Sequence, residues 1–496
     1  MDVLKELIVL LNNQGLQTFK KSDSKTKLFL LYEGLRTGRF QSEQQAALAL
    51  YQDQVNSPKF RKLKSDLQER LIHAVLQLDL SKDARTDYQK AYYEYHKQWT
   101  IFKTLAGLSA NVAALFIASR LLKQAQKYDL TLLALDVAGY LRVHYGLREP
   151  NDKKYQKFST LFQQYEQLFV AENQAEGLYA DLMVKCVNNR SYQESVAKNA
   201  EQHWQKVLPL MEKMQSYKLQ MYGYLIGLKR FSNPADALQN AALSKAAIQF
   251  FENRPYQAWV PLQLFYYQRL STSVRLQNLD DGELAAKKCL SFLAVGTFNW
   301  FKFNELYLKL IFNAGVFEKS SLVLDSVISH PRFKFLPNNV KEMWRIYEAY
   351  VCWLSKLGRA PVTKSSDTFK LYKFLNEVPI FSKDKRGVNV AILIIKFLWM
   401  LQERRGHHLQ DEVSALDQYC YRHLTGPNEK RSHTFIKMLL QFPVCGFDVT
   451  LVEAKVGTNL QKIMQGSKTN TAHIEENEII PYETLWQMVL ESQGEE

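Results

Sequence analysis

Residues 313–333 read NAGVFEKSSLVLDSVISHPRF, and the spacing of three residues within them decides how the chain is read. Gly315 follows FNWFKFNELYLKLIF, an apolar run of helical period, and glycine readily takes the left-handed conformation that closes a helix. Pro331 cannot continue a helix, because it lacks an amide proton and its ring meets the preceding turn. Between them stands the small Ser320, which lets two helices approach closely. The pattern predicts a helical hairpin in which one helix ends at Gly315, the next begins almost at once, and Pro331 stops it.

The rest of the chain is written the same way. Nearly every segment has helical period, and no series of alternating strands bounded by turns occurs. Punctuation falls at Gly107, at GLREPND from Gly146, at FSNP from Phe231 and at NRP from Asn253. It falls again at LDDG from Leu279, SHP from Ser329, LGRAP from Leu357 and TGPNEK from Thr425. Helices of roughly 12 to 22 residues joined by short loops follow, and with them an all-α fold of antiparallel helix pairs.

The opening run resembles the second half of a tetratricopeptide repeat. In that family glycine ends helix A, an aromatic follows two places on, a small residue stands five places on, and proline closes helix B. Gly315, Phe317, Ser320 and Pro331 occupy those places, with Leu324 where the family has a large apolar residue. LDDGELAAKKCLSFL carries Gly282, 33 residues before Gly315, followed by Ala285 and Ala286; the family period is about 34 residues. Further small-residue rows are Ala113, Ala114 and Ala118, then Ala237, Ala242 and Ala247 before Pro255. The resemblance covers about residues 230–360. The helix A pattern of tryptophan, leucine and a small residue is not matched, Asn304, Tyr307 and Leu308 standing there instead. The resemblance implies a TPR-like α-solenoid with a protein or peptide held on the concave face of its A helices; one or two irregular helical bundles is the alternative arrangement.

Composition narrows the class. Hydrophobic residues at 46% and charged residues at 23% are ordinary for folded chains, which argues against intrinsic disorder. Five scattered cysteines, Cys186, Cys289, Cys352, Cys420 and Cys445, form no CxxC and no even framework, so a reducing, cytoplasmic setting is expected. The amino-terminal MDVLKELIVLLNNQG reads as a short amphipathic helix rather than a secretory signal. VNVAILIIKFLWML, from Val388, is interrupted by Lys396 and falls short of the roughly 20 residues of a membrane span. A buried helix is expected there, with Arg404, Arg405 and a left-handed Gly406 at its carboxyl end.

The net charge of +14 keeps anionic partners in view, and it is uneven. Residues 471–496 hold seven glutamates and no Lys or Arg, so the remainder carries +21. An acidic tail shielding a basic body is one reading; a solvated terminus is the other. Four regions are expected: a helical module at 1–80, a repeat array at 81–465, a polar linker at 466–477, and an amphipathic helix with acidic tail at 478–496. In the last, Tyr482, Leu485, Trp486, Val489 and Leu490 share a face suited to covering the end of the array, or to a partner's groove.

Candidate binding residues follow from the same periodicities. In the first module Ser42 with Gln45 suits a capping box, and Ser57 precedes Pro58 at a helix start. Such a tandem could be a helix-turn-helix, with Lys59, Arg61, Lys62 and Lys64 near phosphates; DNA binding by a transcriptional regulator is the alternative function. Tyr88, Tyr92, Tyr95 and Trp99 share a helical face that could stack bases, hold a peptide or pack in the core. Lys302, Asn304 and Glu305, on the helix before Gly315, are expected to project into the groove of the array. His407 and His408 beside Asp411 and Glu412 lack the spacing that sets two metal ligands on one face. QGSKTN, from Gln465, lacks the glycines of a phosphate loop. No motif specifies a catalytic residue, a metal or a cofactor, and the expected function is non-enzymatic scaffolding or sensing.

Overall fold

A computed structural model of the chain describes residues 1–16, 18–19, 21–52, 57–78, 86–188, 193–231, 236–362, 369–378, 388–403, 406–424, 430–469 and 478–494. Among these every regular element is helical. The chain divides into two compact units, Met1–Thr104 and Leu105–Glu496.

The first unit contains α1 (Asp2–Asn13), α2 (Lys27–Arg36), α3 (Glu43–Tyr51), α4 (Pro58–Val75) and most of α5 (Asp87–Gly107). Phe60, Leu63, Leu67 and Leu71 recur every three or four residues along α4 and are all buried against Leu4, Ile8 and Leu11 of α1 and Leu31 and Leu35 of α2. Each such side chain contributes about 1.5–3 kcal/mol by leaving water. Ser42 caps α3 as its sequence predicts, accepting from the Gln45 amide at 3.3 Å, while the Gln45 side chain accepts from the Gln41 amide at 2.9 Å. Ser57 precedes α4 with Pro58 in the first turn but gives no side-chain cap.

The second unit continues through α6 (Asn111–Lys127), α7 (Thr131–Val143), α8 (Asp152–Asn188), α9 (Gln193–Lys213), α10 (Tyr217–Lys229), α11 (Ala237–Glu252) and α12 (Trp259–Leu276). Then come α13 (Leu279–Phe292), α14 (Phe298–Asn313), α15 (Ser320–Ile328), α16 (Asn338–Lys356), α17 (Leu371–Glu377) and α18 (Val388–Gln402). It ends with α19 (Gly406–His423), α20 (Lys430–Leu439), α21 (Gln441–Val444), α22 (Val449–Thr469) and α23 (Tyr482–Gly494). Helices pack mainly on their neighbours in sequence, and α8 also packs on α10, α12 on α14, and α16 on α18. At 37 residues α8 far exceeds the expected lengths: its sequence holds no proline, and its one glycine, Gly177, lies inside the helix.

The hairpin at 313–333 forms as its spacing predicts. Gly315 is left-handed at φ +69°, and the Val316 amide closes on the Ile311 carbonyl at 3.1 Å. Ser320 is fully buried, its hydroxyl donating to the Phe317 carbonyl at 2.6 Å, and α15 stops three residues before Pro331. Gly282 plays a different part. It sits inside α13, in the first turn that LDDG forms, where a Cβ would come within 2.5 Å of the Leu310 side chain. The turn that ends α12 belongs to Gln277, left-handed at φ 53°. The 33-residue interval therefore joins a turn glycine to a packing glycine.

The run from Val388 is a helix buried on nearly every side, and among the described residues no helix is long and apolar enough to cross a membrane. Gly406 opens α19 rather than closing α18, and Arg404 and Arg405 lie outside the described residues. Helix α22 runs through Thr469, into the stretch expected to be a linker; residues 470–477 lie outside the described residues.

The terminal helix α23 packs on α22, burying Tyr482, Leu485, Trp486, Met488 and Val489. Tyr482 stacks on Phe435 of α20 at 4.3 Å, and its hydroxyl meets Ser432 at 2.8 Å. Its apolar face is thus covered by its own chain. The acidic segment is likewise engaged: Arg431 pairs with the buried Glu478 at 2.7 Å and with Glu483 at 3.0 Å, and Arg359 pairs with Glu491. Three of the seven glutamates are therefore held by arginines of the body.

Candidate functional site

Helix α12, WVPLQLFYYQRLSTSVRL, is apolar on more faces than its neighbours can cover. Its rear is fixed by polar clamps. Arg269 and Ser273 both reach Asp281 of α13, the serine at 2.9 Å, and Tyr266 donates to Glu252 of α11 at 2.7 Å. The Arg269 and Ser273 contacts hold the Asp281 carboxyl below its ordinary range, although its partial burial pulls the other way. With that side anchored, Val260, Leu264 and Tyr267, spaced four and three residues apart, remain 52%, 42% and 39% exposed.

Helix α14 lies against α12 and presents a different chemistry. Lys302 pairs with Glu305 at 2.7 Å, and Glu305 also accepts from Tyr347 of α16 at 3.4 Å. Burial chiefly, and then the Glu305 carboxylate, raise the pKa of the Tyr267 phenol. Glu305 thus links Lys302 on its own helix to the fully buried Tyr347 of α16. Val260, Leu264 and Tyr267 form an apolar strip along α12, which packs on α14, a surface that can take apolar side chains.

Of the residues expected to project into the groove of the array, Lys302 and Glu305 are half-buried and paired with each other. Asn304 is buried, and its amide donates to the Trp300 carbonyl at 2.8 Å. The helix turns it 100° or so away from its neighbours, toward the core. Val260 and Leu264 escaped sequence reading because exposed apolar residues look like core residues; the one signal is the lack of any broad polar face on α12.

The other candidates lie in the first unit. Lys59, Arg61 and Lys62 are exposed at the start of α4, whereas Lys64 turns to α3 and pairs with Glu43 at 3.0 Å. Glu43 also holds the amino group of Met1 at 3.2 Å. Tyr92 is exposed, its ring tilted against His96 at 4.2 Å, while Tyr88, Tyr95 and Trp99 are half-buried; Ala91 and Phe102 are the buried residues of α5.

Groups with chemical potential elsewhere are tied to packing. Burial pushes the Cys289 thiol up to about 12 and the Cys420 thiol up to about 11, which keeps both protonated at neutral pH. His203 meets Asp181 at 2.9 Å, and His144 meets Glu149 at 3.2 Å. Among the described residues no group of three His, Cys, Asp or Glu is placed to hold a metal ion; the side chains of His407, His408, Asp411 and Glu412 lie outside the described residues.

Compared with protein-family models, with curated proteins and with solved structures, the chain matches none of them.

Proposed function

We propose that the second unit is a TPR-like α-solenoid and that the protein is a non-enzymatic cytoplasmic scaffold or sensor, binding protein or peptide segments along the face built by α12 and α14. Support for the array comes from helices that pack on their sequence neighbours and, at α8 with α10, α12 with α14 and α16 with α18, on the next helix but one. Such stacking brings side chains of successive pairs onto one surface. The observation that carries the reading is the uncovered strip of Val260, Leu264 and Tyr267 on α12, which packs on the helix that holds the Lys302–Glu305 pair. Exposed apolar side chains gathered in one place mark interaction sites, and an ion pair on the adjoining helix would supply register and partner choice.

The test is a comparison of partners bound by the wild type and by Leu264→Asp. That substitution puts a charge on an exposed position, so thermal unfolding should change little. Partners recovered by the wild type should fall at least about tenfold with the variant, as expected for an anchor position. Equal recovery by both proteins sinks the assignment of this face.

A further inference from the structure

A second feature of the array lies on its loop edge, between the turn that leads into α14 and the turn that leads into α16. A cleft of ≈ 290 Å³ opens there, lined by Phe298, Phe301, Arg332, Phe335, Leu336 and Pro337. Its floor is rigid: Phe301 and Leu336 are buried, and His330 packs beside Phe301 at 5.8 Å and Trp300 at 5.5 Å. Gly296, left-handed at φ +75°, lies so close to the His330 ring that a Cβ would come within 2.1 Å of it, which fixes one loop against the other. The walls are left in water. Phe298 is 51% exposed and Phe335 is 76% exposed.

The charges placed at these rings are basic. Arg332 is the only charged residue lining the cleft, and Lys334 lies over the Phe335 ring at 5.0 Å. From Ser329 to Lys341 the chain reads SHPRFKFLPNNVK, with no acidic residue. Two rings, a rigid apolar floor and a guanidinium make a socket for one bulky apolar side chain with a carboxylate next to it. The cleft lining offers no amide or hydroxyl side chain to read the edge of a base.

We propose that this cleft is an anchor site for a peptide segment in which a leucine or phenylalanine is flanked by acidic residues. The choice of a peptide rests on the reading of the array as a protein-binding scaffold, but the site is separate from the α12–α14 strip. The apolar side chain enters between Phe298 and Phe335, and the neighbouring carboxylate pairs with Arg332.

The experiment is fluorescence polarisation of the full-length protein with fluorescein-labelled peptides of five residues, Glu-Glu-Leu-Glu-Glu and its versions with central alanine or with lysine flanks. Binding should weaken at least about tenfold when the centre is alanine, and should vanish with lysine flanks. Phe335→Ser and Arg332→Glu should each cost at least about tenfold, with unfolding temperature unchanged because both side chains are exposed, while Leu264→Asp should bind as the wild type. Three results would overturn the cleft: no binding of the leucine peptide, equal binding by Phe335→Ser, or loss confined to Leu264→Asp. The last would place the peptide on the α12–α14 strip and so uphold the function while removing this site. A Phe335-dependent affinity for oligo(dT) or for phosphatidylserine vesicles in place of the peptides would overturn it as well.

Discussion

Glu172 shows what one buried carboxyl does in this chain. It lies midway along α8, accepts from Thr131 at 2.7 Å and from Ser216 at 2.6 Å, and so joins α8 to the starts of α7 and α10. Burial raises its pKa, and the two hydroxyls and Lys218 oppose the rise only in part; Asp129 adds to it. A carboxyl raised in the folded state contributes stability that is fully present below its unfolded value of 4.5 and is lost as pH rises through the folded pKa. Glu172→Gln keeps the hydrogen-bond geometry and removes the titration. Urea unfolding at several pH values should therefore show the wild type losing stability relative to Glu172→Gln as pH rises above 4.5. A constant difference across that range would mean that Glu172 does not titrate differently on folding. Nothing local in AENQAEG marks this glutamate, because its partners lie 41 and 44 residues away. Asn304 fails in the same way: Phe303 before it is buried and Glu305 after it half-buried, and only packing decides on which side of that boundary Asn304 falls.

Between elements, the contrast of Gly315 with Gly282 separates two uses of one residue type. Gly315 has open space around it and a positive φ, so an added Cβ costs backbone strain of about 1 kcal/mol. At Gly282 the backbone is helical and the obstacle is the fully buried Leu310. Gly282→Ala gains helix propensity of about 1 kcal/mol and meets overpacking of about 1–3 kcal/mol. The double-mutant cycle with Leu310→Val should show favourable coupling of at least about 0.5 kcal/mol in urea unfolding, and strict additivity would deny the contact. The same cycle with Gly315→Ala should be additive.

The seal at α23 is a further element-scale device. Arg431 lies among two carboxylates and donates to the Ile463 carbonyl at 2.8 Å, while the Glu478 side chain has no exposure. Arg431→Met leaves that carboxylate buried without its cation, at a cost of about 3–5 kcal/mol. Hydrogen exchange should then accelerate across 482–494 ahead of the rest of the unit; unchanged protection there would remove the ion pairs from any role in holding α23. The amphipathic face of this helix was plain from its spacing, and its covering partner was not, since the periodicity of an apolar face does not say what covers it.

At the scale of the molecule, helical period and punctuation disclosed the all-α class and the ends of several helices, α5, α10, α11, α14, α15, α16 and α19 among them, because glycine and proline act locally. Order along the chain did not disclose which helices lie side by side, nor that α12 keeps a strip of apolar residues in water. Those depend on the clamps at Asp281 and Glu252, set by contacts between helices rather than by period. The central claim is that this strip and the Lys302–Glu305 pair form the working face. The most direct measurement is quantitative affinity purification of the wild type beside Leu264→Asp and Lys302→Glu, with thermal unfolding as the control for folding. The account predicts a set of protein partners that both variants lose at least about tenfold while their unfolding temperatures hold; partners retained in full by both well-folded variants would contradict it.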